Sequence, residues 1–149
     1  MIQFTLLFSS ILGALAVVLG AFGAHALKKI LSEAELKSFE TGVKYQMYHA
    51  LVLLIIGFNF NLETISEKYM VYCFTAGILL FSFSIYGLVI SSAKIKKIKF
   101  LGPVTPLGGL FLIVGWALLF YSILNLVLGK KILRASSMFL LLSCCRIFC

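Results

Sequence analysis

The chain carries two histidines, His25 and His49, and both fall in or beside long apolar stretches. An imidazole exchanges protons near neutral pH, and it can ligate haem or a divalent metal through a ring nitrogen. Other polar side chains are set into the same kind of surroundings. Gln46 stands one helical turn before His49 in Y-Q-M-Y-H, Ser82 and Tyr86 are a turn apart in F-S-F-S-I-Y, and Thr105 lies between the two prolines of G-P-V-T-P. Brought together, His25, Gln46, His49, Ser82, Tyr86 and Thr105 would form a polar intramembrane cluster, either ligand-binding or structural. Its hydrogen bonds would have to be met from within, because lipid offers none.

The chemistry open to such a cluster is narrow. No Asp or Glu lies within the apolar stretches, whereas ion-coupled carriers and proton pumps usually need such a group. There is no serine nucleophile with a plausible His/Asp partner, no HExxH and no phosphate loop, so an enzyme is not expected. The four cysteines form no CxxC and no zinc-like spacing with histidine, so neither a structural metal nor a disulfide framework is expected. A structural role leads: a non-enzymatic scaffold or accessory subunit without a cofactor. Two alternatives stay open, a small oligomeric transporter or permeation protein and a His-ligated haem or metal-binding membrane protein.

The elements that must position these residues follow from composition. Apolar residues make up 62% of the 149-residue chain and charged residues 12%, with a mean hydropathy of +1.10. A soluble domain carries roughly twice that charge. Residues 1–27, 45–62, 69–93 and 100–129 contain no Lys, Arg, Asp or Glu, and each reaches the roughly 18 residues of a candidate spanning helix. The fold expected is all-α, an integral membrane four-helix bundle. Its spans would cover about residues 3–27, 43–62, 69–93 and 105–128 within a membrane domain of residues 1–131, followed by a tail, 132–149. Ala24-His25-Ala26 has the form of a signal-peptidase site. The absent basic n-region and the long apolar run argue that the first span is retained.

Between the first two spans, Ser32 and Glu35 fit a capping box. Leu36, Phe39 and Val43 then give an apolar stripe, which predicts a short interfacial helix over about residues 33–42 with Gly42 as a bend. Pro103 and Pro106 remove N–H donors at the start of the last span, so freed carbonyls would need partners there. Small residues mark the packing faces: Gly13, Ala16, Gly20, Gly23 and Ala24 on the first span, Gly77 with Ser84 and Ser91 on the third, Gly108 and Gly109 on the fourth. Trp116 reads as packing and Tyr45, Tyr48 and Tyr69 as interfacial anchors.

The net charge of +8 sits at helix ends, in Lys28 and Lys29 and in Lys94, Lys96, Lys97 and Lys99. That placement suits anionic lipid head groups and leaves no face for nucleic acid. Eight basic residues fall in the loops after the first and third spans and five on the opposite side, which places both termini outside by the positive-inside rule. A bacterial inner membrane is the expected location, with self-association or partner subunits in the bilayer.

Four motifs in order, G-A-F-G-A-H-A-L-K-K, T-G-V-K-Y-Q-M-Y-H-A-L-V-L-L, G-I-L-L-F-S-F-S-I-Y-G-L and L-G-P-V-T-P-L-G-G-L-F-L-I-V-G-W, resemble the YgdD-like family of small uncharacterised four-helix membrane proteins, which has vertebrate relatives. The resemblance runs from about Gly13 to Trp116. It implies membrane location and the same helix order, and it implies no activity. Phe83 stands where the family pattern has glycine, which predicts looser helix contact there. The tail after about Lys131 has no counterpart in the pattern.

Overall fold

The computed structural model describes residues 1–92 and 101–145, with side chains described as far as residue 129. Four long helices follow one another: α1 (Ile2–His25), α2 (Glu33–Asn59), α3 (Ile65–Ser92) and α4 (Val104–Cys145), with a 3-10 turn at Leu27–Lys29 after the first. No strand occurs among the described residues. The expected lysine run at 94, 96, 97 and 99 lies outside the described residues, as do Cys149 and the side chains of Cys144 and Cys145.

Local sequence sets where the helices begin. The Ser32 hydroxyl accepts the Glu35 amide at 3.4 Å while the Glu35 carboxylate accepts the Ser32 amide at 3.0 Å, which is the reciprocal cap its sequence called for. A second box, not anticipated, opens α3. The Thr64 hydroxyl accepts the Glu67 amide at 3.3 Å, and Glu67 accepts the amides of Glu63 and Thr64 at 3.1 Å each. Pro106 falls in the first turn of α4, where N–H groups have no intrahelical partner in any case. The prolines therefore leave no break inside the helix.

One expectation about continuity changes. The segment expected as a separate interfacial helix is the first part of α2, which runs unbroken from Glu33 to Asn59. Gly42 lies inside this helix. It is buried, and an added Cβ would come within 2.8 Å of the Tyr86 ring, so glycine there serves the close approach of α3. At the other end, α4 continues past residue 129 to Cys145, into the segment set apart as a tail. Its 42 residues measure about 63 Å at roughly 1.5 Å per residue, about twice the hydrocarbon thickness of a bilayer.

Among the described residues three helical stretches are long and apolar enough to cross a membrane: Ile2–Lys29, Ile65–Ser92 and Val104–Gly129. α2 is long enough at 27 residues. Charged residues in its first half and inward-facing Gln46 and His49 lower its average hydropathy.

The most extensive packing joins neighbours in sequence: α1 on α2, α2 on α3 and α3 on α4. The α3–α4 seam has a regular antiparallel register. Phe74 meets Gly115, Gly77 meets Leu112, Phe81 meets Gly108 and Ser84 meets Thr105. Successive pairs advance by three or four positions on α3 and recede by the same on α4, the spacing of one helical face. Gly108 is the tightest point, since a Cβ there would collide with the Phe81 backbone. Small residues let the backbones close where apolar surface on both sides provides no hydrophobic drive.

Two buried apolar clusters result. One gathers Leu53, Ile56, Met70, Phe74 and Ile78 with Leu12 and Leu112, and the other gathers Leu27, Leu31, Phe39, Tyr86 and Val89. Large apolar side chains such as Phe4, Leu7 and Ile11 on α1 and Leu110, Ile113 and Phe120 on α4 point outward, the arrangement suited to lipid contact.

Candidate functional site

Gln46 lies on α2 between the two apolar clusters and is fully buried. An amide there must find partners on neighbouring helices. Its Nε2 donates to the Leu12 carbonyl of α1 at 2.8 Å, and its Oε1 accepts the Tyr86 hydroxyl of α3 at 2.9 Å. One side chain thus joins three helices. Ser82, one turn before Tyr86, donates to the Gly42 carbonyl at 2.9 Å, adding a second polar link between α2 and α3.

The link to α4 is separate. The hydroxyls of Ser84 and Thr105 lie 2.8 Å apart, and Ser84 also donates to the Phe81 carbonyl at 2.9 Å. With the serine proton on that carbonyl, Thr105 is the donor in the pair.

His49 faces a different set of partners. Its Nδ1 lies 2.8 Å from the Tyr45 carbonyl, and the Trp116 indole N–H points at its Nε2 at 3.3 Å. A carbonyl can only accept and an indole N–H can only donate. The two contacts together assign the neutral tautomer with its proton on Nδ1. Rings of Tyr45, Phe74 and Trp116 surround the imidazole at 5.9, 5.8 and 6.3 Å between centroids, so α2, α3 and α4 meet at this histidine.

The structure brings together most of the polar residues singled out by sequence, in three linked groups rather than one knot. Gln46, Tyr86 and Ser82 form the first, Ser84 and Thr105 the second, His49 and Trp116 the third. His25 is not among them: it is exposed at the end of α1. Equal depth on two antiparallel helices allowed contact with His49, but helical phase turns His25 outward. Among the described residues no group of three His, Cys, Asp or Glu converges.

Among the packing residues, Ala16 and Gly23 are buried, an added Cβ on Gly20 would meet Val43 at 3.6 Å, and Gly77 and Gly108 lie in the α3–α4 seam. Gly109 sits at its edge, with Phe81 3.9 Å from an added Cβ. Gly13 and Ala24 face away, Gly13 with open space where a Cβ would go. Phe83 is exposed and rests edge-on against Tyr86 at 5.7 Å, so it does not stand between helices.

Sequence reasoning missed the carbonyls of Leu12 and Gly42 and the role of Trp116. Backbone acceptors carry no residue signature. Trp116 is 67 positions from His49, and only the register of three helices puts them side by side. Ser84 had a signal in its small-residue stripe with Gly77.

Residues 19–109 match the family model described as "Protein of unknown function (DUF423)". The chain belongs to this family. It is 44% identical over 113 residues to the UPF0382 membrane protein SAB0533 of Staphylococcus aureus, covering 73% of this chain and 88% of that one. It is also 39% identical over 121 residues to the UPF0382 membrane protein SH2409 of Staphylococcus haemolyticus, covering 78% and 95%. The matched region of the family model holds Gln46, His49, Ser82, Tyr86 and Thr105. No solved structure matches the chain.

Proposed function

We propose that this family member is a non-enzymatic membrane scaffold or accessory subunit, and that its buried polar residues serve to fix helix register. The observation that carries this reading is saturation. The Gln46 carbonyl oxygen, the Tyr86 and Ser82 hydroxyls and both ring nitrogens of His49 all have protein partners. A ligand would have to displace one of them. Engagement of both imidazole nitrogens argues in particular against a haem or metal ligated by His49. No observation favours transport over the scaffold reading.

The reading includes four crossings, with the later part of α2 as the second, both termini outside and a bacterial inner membrane. The interior partners of Gln46 and His49 support α2 as a spanning helix despite its modest hydropathy, because those polar groups face protein rather than lipid. The membrane names of the staphylococcal relatives support the location. A YgdD-like affiliation belongs to the same reading. The outward apolar faces of α1 and α4 suit contact with another copy or a partner subunit.

Native mass spectrometry of the chain extracted from its host membrane in mild detergent tests this. Masses of bare monomer, oligomer or a complex with a partner subunit support the scaffold. A stoichiometric small-molecule mass that vanishes in His49→Leu would reject it, because the saturated cluster would then be a ligand site.

A further inference from the structure

Of the polar links between helices, the Gln46 group ties α1, α2 and α3 together, and the Ser84–Thr105 pair ties α3 to α4. The Trp116–His49 hydrogen bond is the one of these that ties α2 to α4. It requires one protonation state. The imidazole gives its Nδ1 proton to the Tyr45 carbonyl at 2.8 Å, so Nε2 is a bare lone pair that accepts the indole N–H at 3.3 Å. A histidinium carries N–H on both nitrogens, and an indole nitrogen offers no acceptor in return. Protonation would set two donors against each other across that 3.3 Å. The bond from Nδ1 to Tyr45 would survive it, so the imidazole stays where it is and the indole must move.

The surroundings let the contact open. Trp116 is 49% exposed and lies edge-on to Phe74 at 5.8 Å, so the indole has an open side to turn toward. The imidazole remains beside the rings of Tyr45 and Phe74, whose centroids are 5.9 and 5.8 Å away. At that distance aromatic rings attract a cation. The groups that face His49 are Tyr45 from its own helix, Phe74 from α3 and Trp116 from α4. Tyr45 is the titratable one among them and none carries a formal charge, so no ion pair in this set holds the imidazole in either state.

We propose that His49 is an acid-sensitive latch between α2 and α4, closed on Trp116 when the imidazole is neutral and released when Nε2 takes up a proton. Histidine is the side chain that ordinarily changes charge in the physiological range. A rise in proton concentration would thus free α4 from α2 while the α3–α4 seam, built from glycines and the Ser84–Thr105 pair, stays in register. The latch goes beyond the scaffold reading and shares with it only the geometry of His49. A ligand at this histidine would appear as added mass, whereas the latch appears as a proton-linked change in Trp116.

The test uses the full chain in mild detergent, with isotope-labelled nitrogen in its tryptophan and histidine side chains. Nuclear magnetic resonance follows it from about pH 8 to about pH 4.5, a range that brackets ordinary histidine titration. The chain has one tryptophan, so the indole N–H gives a single resonance. His25→Gln leaves His49 as the remaining histidine, which assigns its ring signals, and should not alter the titration of Trp116. At neutral pH the His49 proton is expected on Nδ1. On acidification both ring nitrogens should become protonated while the Trp116 N–H moves upfield, as a donor that loses its acceptor does, with the same midpoint. His49→Gln keeps an acceptor oxygen for the indole and does not titrate, so it should hold the Trp116 resonance in place across the range. Protonation of His49 that leaves Trp116 unmoved overturns the proposal without any variant. So does a His49 ring that stays neutral throughout, or a Trp116 shift that persists in His49→Gln.

Discussion

The Gln46–Tyr86 hydrogen bond gives a quantitative test of the polar lock. Tyr86→Phe removes the hydroxyl that donates to Gln46 at 2.9 Å and leaves the Gln46 Oε1 buried without that donor. An unsatisfied buried acceptor costs about 1–3 kcal/mol. Measured interhelical hydrogen bonds in a membrane protein average about 0.6 kcal/mol and reach about 1.7. A loss of about 1.5 kcal/mol is expected for this variant. Gln46→Leu strands the Tyr86 hydroxyl and also breaks the bond to the Leu12 carbonyl at 2.8 Å. That carbonyl keeps its own amide partner within α1, so its loss adds little, and about 2 kcal/mol is expected in total. In the double variant neither group is left stranded. The combined effect should therefore fall short of the sum by about 1 kcal/mol. The assay is reversible unfolding in mixed micelles with rising SDS, followed by far-UV circular dichroism and Trp116 fluorescence. Additivity to within about 0.3 kcal/mol, the scatter of independent sites, would show that the two side chains do not act as a pair and would refute the lock.

Other variants probe separate parts of the fold. His49→Leu, which loses contacts to Tyr45 and Trp116, should cost about 1–2 kcal/mol, while His25→Leu at its exposed position should change thermal stability little; equal effects would contradict the assigned neighbours. Gly108→Ala should destabilise by about 3 kcal/mol or more, because the clash is with Phe81 backbone and overpacking of that kind cannot relax. Gly13→Ala, with open space at its Cβ, should be neutral or stabilising by up to about 1 kcal/mol, and the two midpoints can be compared in one detergent series. Ser32→Ala should cost about 1 kcal/mol through the cap, read as reduced amide protection in hydrogen exchange over the first turn of α2.

The sequence by itself determined the class of this protein. Charge-free stretches of membrane length, lysines gathered at their ends, and the Ser32–Glu35 cap follow from local composition, and the helices found correspond to them. It also singled out Gln46, Ser82, Tyr86 and Thr105, because an isolated polar residue in an apolar run needs an interior partner wherever it is placed. The sequence did not determine those partners. Helical phase is lost across each loop, so His25 and His49 could be assigned similar depth yet face different ways. The tertiary structure decided the rest. The α3–α4 register set Thr105 on Ser84, and the approach of α2 allowed by Gly42 gave Tyr86 its bond to Gln46. The meeting of three helices brought Trp116 to His49. These contacts join residues 21 to 67 positions apart, a range over which neither periodicity nor spacing carries information, because only packing fixes one helix's rotation against another.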